Sequence, residues 1–131
     1  MRDSHAYDYA VLRVVPHVER EEFVNVGVIL SCPDRQFIGT RIHLDVARLK
    51  ALAPTLDEEA VRSHLVSFEA VCRGGADAGP IGLLPARQRF HWLVAPRSTV
   101  IQTSPAHTGW CRDPEETLER LLRKYVAAPG R

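Results

Sequence analysis

Long hydrophobic runs are missing from this 131-residue chain. The longest apolar tract, Val26 to Leu30, is interrupted by Gly27 and falls far short of the ~18 residues of a membrane span. Cysteine is scarce: Cys32, Cys72 and Cys111 are odd in number, widely spaced and form no C-x-x-C. That usage suits reduced thiols in a cytosol and excludes a disulfide framework or a paired-cysteine zinc site. The opening Met1-Arg2-Asp3-Ser4-His5 has no apolar core and no cleavage pattern, so a chain without a signal peptide, in the cytoplasm, is expected. An excess of either charge is also missing, because 17 Lys+Arg face 16 Asp+Glu for a net charge of +1. This balance excludes a domain that binds nucleic acid or anionic membrane mainly through bulk charge. Lysine is nearly absent, two beside fifteen arginines. Arginine suits forked contacts to phosphate or carboxylate, although a GC-rich genome produces the same bias.

One absence is local. From Ala78 to Arg112 there is no Asp or Glu, yet Arg87, Arg89, Arg97 and Arg112 are present. A site for an anion is best sought there.

The length fits one domain over 1–131, large enough to bury a core without staples. Ala6 to Val15 alternates, is rich in Tyr and Val, and ends at Pro16, which reads as a strand. Phe23 to Leu30 reads as a second strand, with Val24, Val26, Val28 and Leu30 on an aliphatic face and Phe23, Asn25, Gly27 and Ile29 on the other. After the turn Cys32 to Arg35, a third strand over Gln36 to Leu44 places Ile38, Thr40 and Ile42 opposite Phe37, Gly39 and Arg41. Short links favour antiparallel pairing. Asp45 caps a short helix stopped by Pro54, and Thr55-Leu56-Asp57-Glu58 fits a capping box for a helix striped by Val61, Leu65, Phe68 and Cys72. Gly74 to Pro85 reads as an irregular loop. A helix follows to about Ala95, then a short strand over Thr99 to Ser104. The last helix is capped by Asp113, with Pro114 at its first position and Glu115, Glu116 and Glu119 early. The expected fold is α+β: a small antiparallel sheet of three N-terminal strands plus a short later one, with helices packed on one face.

The densest polar run is Pro96 to Gly109, which offers Arg97, Ser98, Thr99, Gln102, Thr103, Ser104, His107 and Thr108 without a carboxylate. Such a set suits an anion, a phosphate or carboxylate, because arginine supplies a forked cation and the hydroxyls supply donors. The alternative is that the hydroxyls fill turns and Arg97 pairs with a distant carboxylate. Nucleophilic chemistry has two candidate sets, Cys111 with His107 and Asp113, and Ser98 with His91, neither in a recognised motif. His107 and Cys111 lack two further metal ligands, and no metal or other cofactor is expected. Arg13, Asn25, Arg41 and His43 share one sheet face, which is either the far wall of the same pocket or a solvated side. Trp92 and Trp110 flank the acid-free segment, as core residues or interface anchors.

Two stretches, Tyr7 to Pro16 continuing through Glu22-Phe23-Val24-Asn25-Val26-Gly27-Val28-Ile29-Leu30, and Phe90-His91-Trp92-Leu93-Val94-Ala95-Pro96-Arg97-Ser98-Thr99-Val100-Ile101-Gln102-Thr103-Ser104-Pro105, resemble a bacterial family known only as domain of unknown function 3037. The resemblance spans nearly the whole chain and brings no activity. It implies a small cytosolic bacterial protein, often encoded next to a kinase-like protein of the HipA type, with Asn25, Gly27, Arg97, Ser98, Thr99 and Gln102 as motif positions. The expected function is therefore an accessory module that binds a protein or an anion through the acid-free segment, with the HipA-type protein as partner. The alternative is a small enzyme acting on a phosphorylated or carboxylated substrate, with Arg97 as anion clamp and His107 or Cys111 as acid–base or nucleophile. Nucleic acid is disfavoured by the charge balance, and no membrane partner is expected.

Overall fold

The alternating Tyr/Val segment near the N-terminus becomes the central strand of the protein. In the computed structural model, which describes residues 3–126, β1 (His5–Val14) pairs antiparallel with β2 (Val24–Cys32), and β2 with β3 (Phe37–Ile42). Met1 and Arg2, on which the expectation of no signal peptide partly rests, and the last residues of the expected single domain lie outside the described residues. Helices α1 (Val46–Leu52) and α2 (Glu58–Arg73) follow, then α3 (Ala86–Val94), β4 (Ile101–Thr103), β5 (His107–Cys111) and α4 (Pro114–Tyr125). The sheet is antiparallel, ordered β3-β2-β1 with β4 and β5 both paired to β1. The α+β class with an antiparallel sheet is as expected from the sequence.

The helices, however, cover both faces of the sheet. Leu12 stands opposite Gly27 and Arg13 opposite Asn25, so Val26 is an extra residue that bulges out of the ladder. A bulge of this kind turns the strand over. Val24 and Val26 therefore join Ile29 in a core formed with α1, α2 and α3, where Leu49, Val61, Leu65, Phe68, Phe90 and Leu93 are buried. Val28 and Leu30 point the other way, into a second core with Tyr7, Leu118 and Leu121. The single aliphatic face expected of Val24, Val26, Val28 and Leu30 is thus split, and α4 covers the side expected to be open. Arg41 lies under α4 as well, bridging Glu115 (2.5 Å) and Glu119 (2.6 Å).

Local signals account for most helix ends. Asp113 accepts backbone N–H bonds from Glu115 and Glu116, and Asp45 accepts from Arg48, as capping predicts. For α2 the cap is Asp57, accepting from Ala60 at 3.1 Å, and not Thr55: the turn closed by Leu56 N–H to Ala53 O delays the helix. The glycine-rich stretch expected to be irregular folds into two 3-10 turns, Ala76–Ala78 and Pro80–Leu83, tied by Gly75 N–H to Gly82 O at 2.8 Å. Strand β5 was unforeseen because it is an edge strand bonded only to β1. Its residues are exposed on both faces except Gly109 and Cys111, so no apolar alternation marks it. No helix among the described residues is long and apolar enough to cross a membrane.

Candidate functional site

One turn of the helical repeat after another places His64, Ser67, Phe68 and Val71 on the same side of α2. Opposite them stand Trp92 and Leu93 at the end of α3. Pro96 holds Ala95 in extended geometry, φ −62° and ψ 139°, as a proline requires of the residue before it. The chain therefore turns back, and Arg97, Thr99, Ile101, Gln102 and Thr103 close a cleft of about 220 Å³ between the two helices. Its floor is apolar, with Phe68, Leu93 and Ile101 all buried core residues. Its rim is polar and contains no carboxylate.

Arg97 is the cation of this rim. Its guanidinium lies 4.5 Å from the centroid of the Trp92 ring, and its Nη2 donates to the Trp92 carbonyl oxygen. No carboxylate pairs with it among the described residues, which supply no distant ion-pair partner of the kind the alternative required. The stack and the carbonyl bond fix the guanidinium in place while leaving most of its five N–H donors unused. Thr99 Oγ1 donates to Ile101 O (2.8 Å), Thr103 Oγ1 to Val94 O (3.4 Å) and Gln102 Nε2 to Thr99 O (2.9 Å). These bonds shape the segment and commit both threonine protons to the backbone.

Two of the other arginines of the acid-free segment, Arg87 and Arg89, have structural partners. Arg87 meets Asp8 at 2.6 Å and Ser31 Oγ at 2.9 Å, so the missing local carboxylate is supplied by β1. Burial works against the Asp8 carboxylate, but hydrogen bonds from Thr108 (2.7 Å) and Arg87 outweigh it and hold the carboxyl below its ordinary value. Arg89 donates to the carbonyls of Val71, Cys72 and Leu84 and so closes the C-terminal end of α2. Arg112 is exposed.

The expected site residues separate into groups. Arg97, Thr99, Gln102 and Thr103 line the cleft. Ser98 is exposed beside it but does not line it, and no hydrogen bond joins it to His91 among the described residues. Ser104, expected as an anion donor, is 4% exposed and serves the sheet instead. Its Oγ accepts from Val11 N–H at 2.9 Å, and its own N–H donates to Val11 O at 2.8 Å, which carries the edge past Pro105.

His107 and Cys111 do not meet Arg97. His107 stands opposite Tyr9 on β1 with the ring centroids 5.5 Å apart, and Cys111 is buried in the second core on the α4 side. Burial pushes the Cys111 thiol above its ordinary value and the neighbouring Cys32 adds to this, the reverse of what a nucleophile requires. Burial and the bond to Tyr125 push the Tyr9 phenol up to about 12, so it offers His107 no partner base at neutral pH. No three His, Cys, Asp or Glu side chains gather as metal ligands among the described residues.

Arg13 and Asn25 also lie on the α4 side, away from the cleft. Arg13 stacks on Phe23 at 4.0 Å, and Asn25 Nδ2 donates to Tyr125 O at 3.3 Å, so they are not the cleft's far wall. Gly27, beside them, is a packing glycine: a Cβ there would lie 2.7 Å from the Arg41 carbonyl oxygen. Neither tryptophan is a core residue, Trp92 being 40% and Trp110 70% exposed.

Sequence reasoning missed His64 and Ser67. The available signal was their position beside the apolar stripe of α2, three and six residues after Val61, where a polar residue borders the core and reaches its margin.

A family model described as Protein of unknown function (DUF3037) matches residues 9–126. No curated protein and no solved structure matches the chain.

Proposed function

The chain belongs to the DUF3037 family, and from the geometry of its cleft we propose that it is an accessory binding module of the bacterial cytoplasm that captures an anion-bearing segment of a partner protein. The observation that carries this reading is Arg97: it is held over Trp92 at the rim of a carboxylate-free cleft with an apolar floor. Such a rim attracts an anion, and such a floor rewards the burial of an apolar group beside it. The separation of Arg97 from His107 and Cys111 weighs against the enzyme alternative, because clamp and reactive group would stand on different sides of the sheet. Three free cysteines, all buried, are consistent with a reducing compartment.

The first partner to test is the kinase-like HipA-type protein that the family resemblance implies as a gene neighbour. Co-expression followed by size-exclusion chromatography should yield a complex, and Arg97→Gln should dissolve it. Separate elution of the two proteins at micromolar concentration would sink the proposal.

A further inference from the structure

We propose that the cleft between α2 and α3 takes the C-terminal residue of a peptide, an apolar side chain with its free α-carboxylate. This inference rests on the binding-module reading and names its ligand.

Size sets the first limit. At about 220 Å³ the cleft is smaller than the roughly 300–1,000 Å³ of sites for drug-sized ligands, so the part of a ligand that lodges in it has about the size of one residue. Placement narrows the ligand further. Arg97 and the apolar floor of Phe68, Leu93 and Ile101 belong to the same small cavity, so the anion and the apolar group must be part of the same moiety. An internal acidic residue does not meet this condition. In an extended peptide its neighbour points to the opposite side, and the next side chain on its own side is about 7 Å further along. A chain terminus does meet it, because side chain and carboxylate leave the same Cα.

Charge narrows it again. Arg97 presents unused N–H donors, and His64 and Ser67 line the same cleft, while the lining holds no carboxylate. An ammonium group would find no carboxylate there to pair with, which favours a carboxylate without an adjacent amine over a free amino acid. An acid without an amine passes this filter, so a small apolar carboxylic acid shares the chemistry. Recognition of a terminal carboxylate by converging donors is a recurrent mode of peptide capture. Trp92 acts as a positioning residue, holding the guanidinium at the rim through its ring and its carbonyl.

The test is isothermal titration calorimetry of the full chain with N-acetylated tripeptides ending in leucine, supplied as the free acid and as the C-terminal amide. The acid should bind at least about tenfold more tightly than the amide, the effect of a charge-assisted bond to arginine. Arg97→Gln should reduce the acid to the level of the amide and leave the amide unchanged. Equal binding of acid and amide to the wild-type chain would overturn the inference, and this comparison does not depend on any variant folding. Equal affinity for 4-methylpentanoate and the peptide acid would also overturn it, by moving the source from a chain terminus to a small acid. Tighter binding of inorganic phosphate than of the peptide acid would do the same.

Failure of the two readings is distinguishable. A partner complex that Arg97→Gln dissolves, without binding of the peptide acid, leaves the module reading and removes the terminal residue. Peptide-acid binding with no complex keeps the terminal residue and removes the HipA-type protein as the partner.

Discussion

Leu118→Ala is the sharpest probe of the two-sided architecture. Leu118 is fully buried, on the face of α4 that packs against the sheet. Its Cδ2 comes within 3.0 Å of where a Cβ on Gly39 would stand, so β3 and α4 are in tight contact and have little freedom to collapse into a void. A buried leucine truncated to alanine in such surroundings costs about 3 kcal/mol, the transfer term plus the cavity left behind. For a chain of this length that corresponds to a fall in Tm of about 10 °C and removes a large share of the ordinary 5–15 kcal/mol of stability, taken as an order of magnitude. The assay is urea unfolding followed by far-UV circular dichroism, with Leu83→Ala as the control. Leu83 is 69% exposed, and its truncation should stay within about 0.5 kcal/mol. Because Leu118 and the cleft lie on opposite faces, the affinity of Leu118→Ala for the peptide acid should remain within about twofold of wild type. A cost below about 1 kcal/mol for Leu118→Ala would refute a packed second core and return the helices to one face.

Three further outcomes are expected. Asp8 has a folded pKa below its ordinary value, so its contribution to stability is present above that ordinary value, 3.8, and is lost as the pH falls through the lower folded one. Urea midpoints measured from pH 5 down to pH 2 should therefore show an acid loss that Asp8→Asn diminishes, and identical pH profiles would contradict the Asp8–Arg87–Thr108 network. Ser104→Ala leaves the buried Val11 N–H without its acceptor, at a cost of about 1–3 kcal/mol; unchanged hydrogen-exchange protection of the Val11 amide would rule out this role. All three cysteines are buried, and burial pushes Cys72 up to about 11 and raises Cys111. Iodoacetamide at neutral pH should modify the folded chain more slowly than it modifies a model thiol, and faster labelling of Cys111 would revive it as a nucleophile.

Much of the local structure is legible in the sequence. Asp113 followed by Pro114 and early glutamates predicts the start of α4, and the spacing of Val61, Leu65, Phe68 and Cys72 predicts the buried side of α2. The acid-free segment also pointed to the right part of the chain, since four residues of the expected anion set line the cleft. The same polar run was misleading at Ser104, where a hydroxyl completes a backbone ladder, and at His107, which lies on an edge strand opposite Tyr9 and does not line the cleft. Nothing in a run of polar residues distinguishes those roles, because each is decided by what stands opposite.

Capping, helical period and strand alternation act over a few residues, and for that reason the sequence by itself determined the four helices and the strands β1 to β4 with their approximate ends, but not the edge strand β5, which no alternation marks. The tertiary structure alone decided which faces are covered and which charges are paired. The bulge at Val26 appears only in the register of β2 against β1, and Arg87 finds Asp8 across 79 residues. Val11 finds Ser104 across 93. Arg97 is left with Trp92 because none of the described elements brings a carboxylate to it, and that outcome depends on every element that could have supplied one.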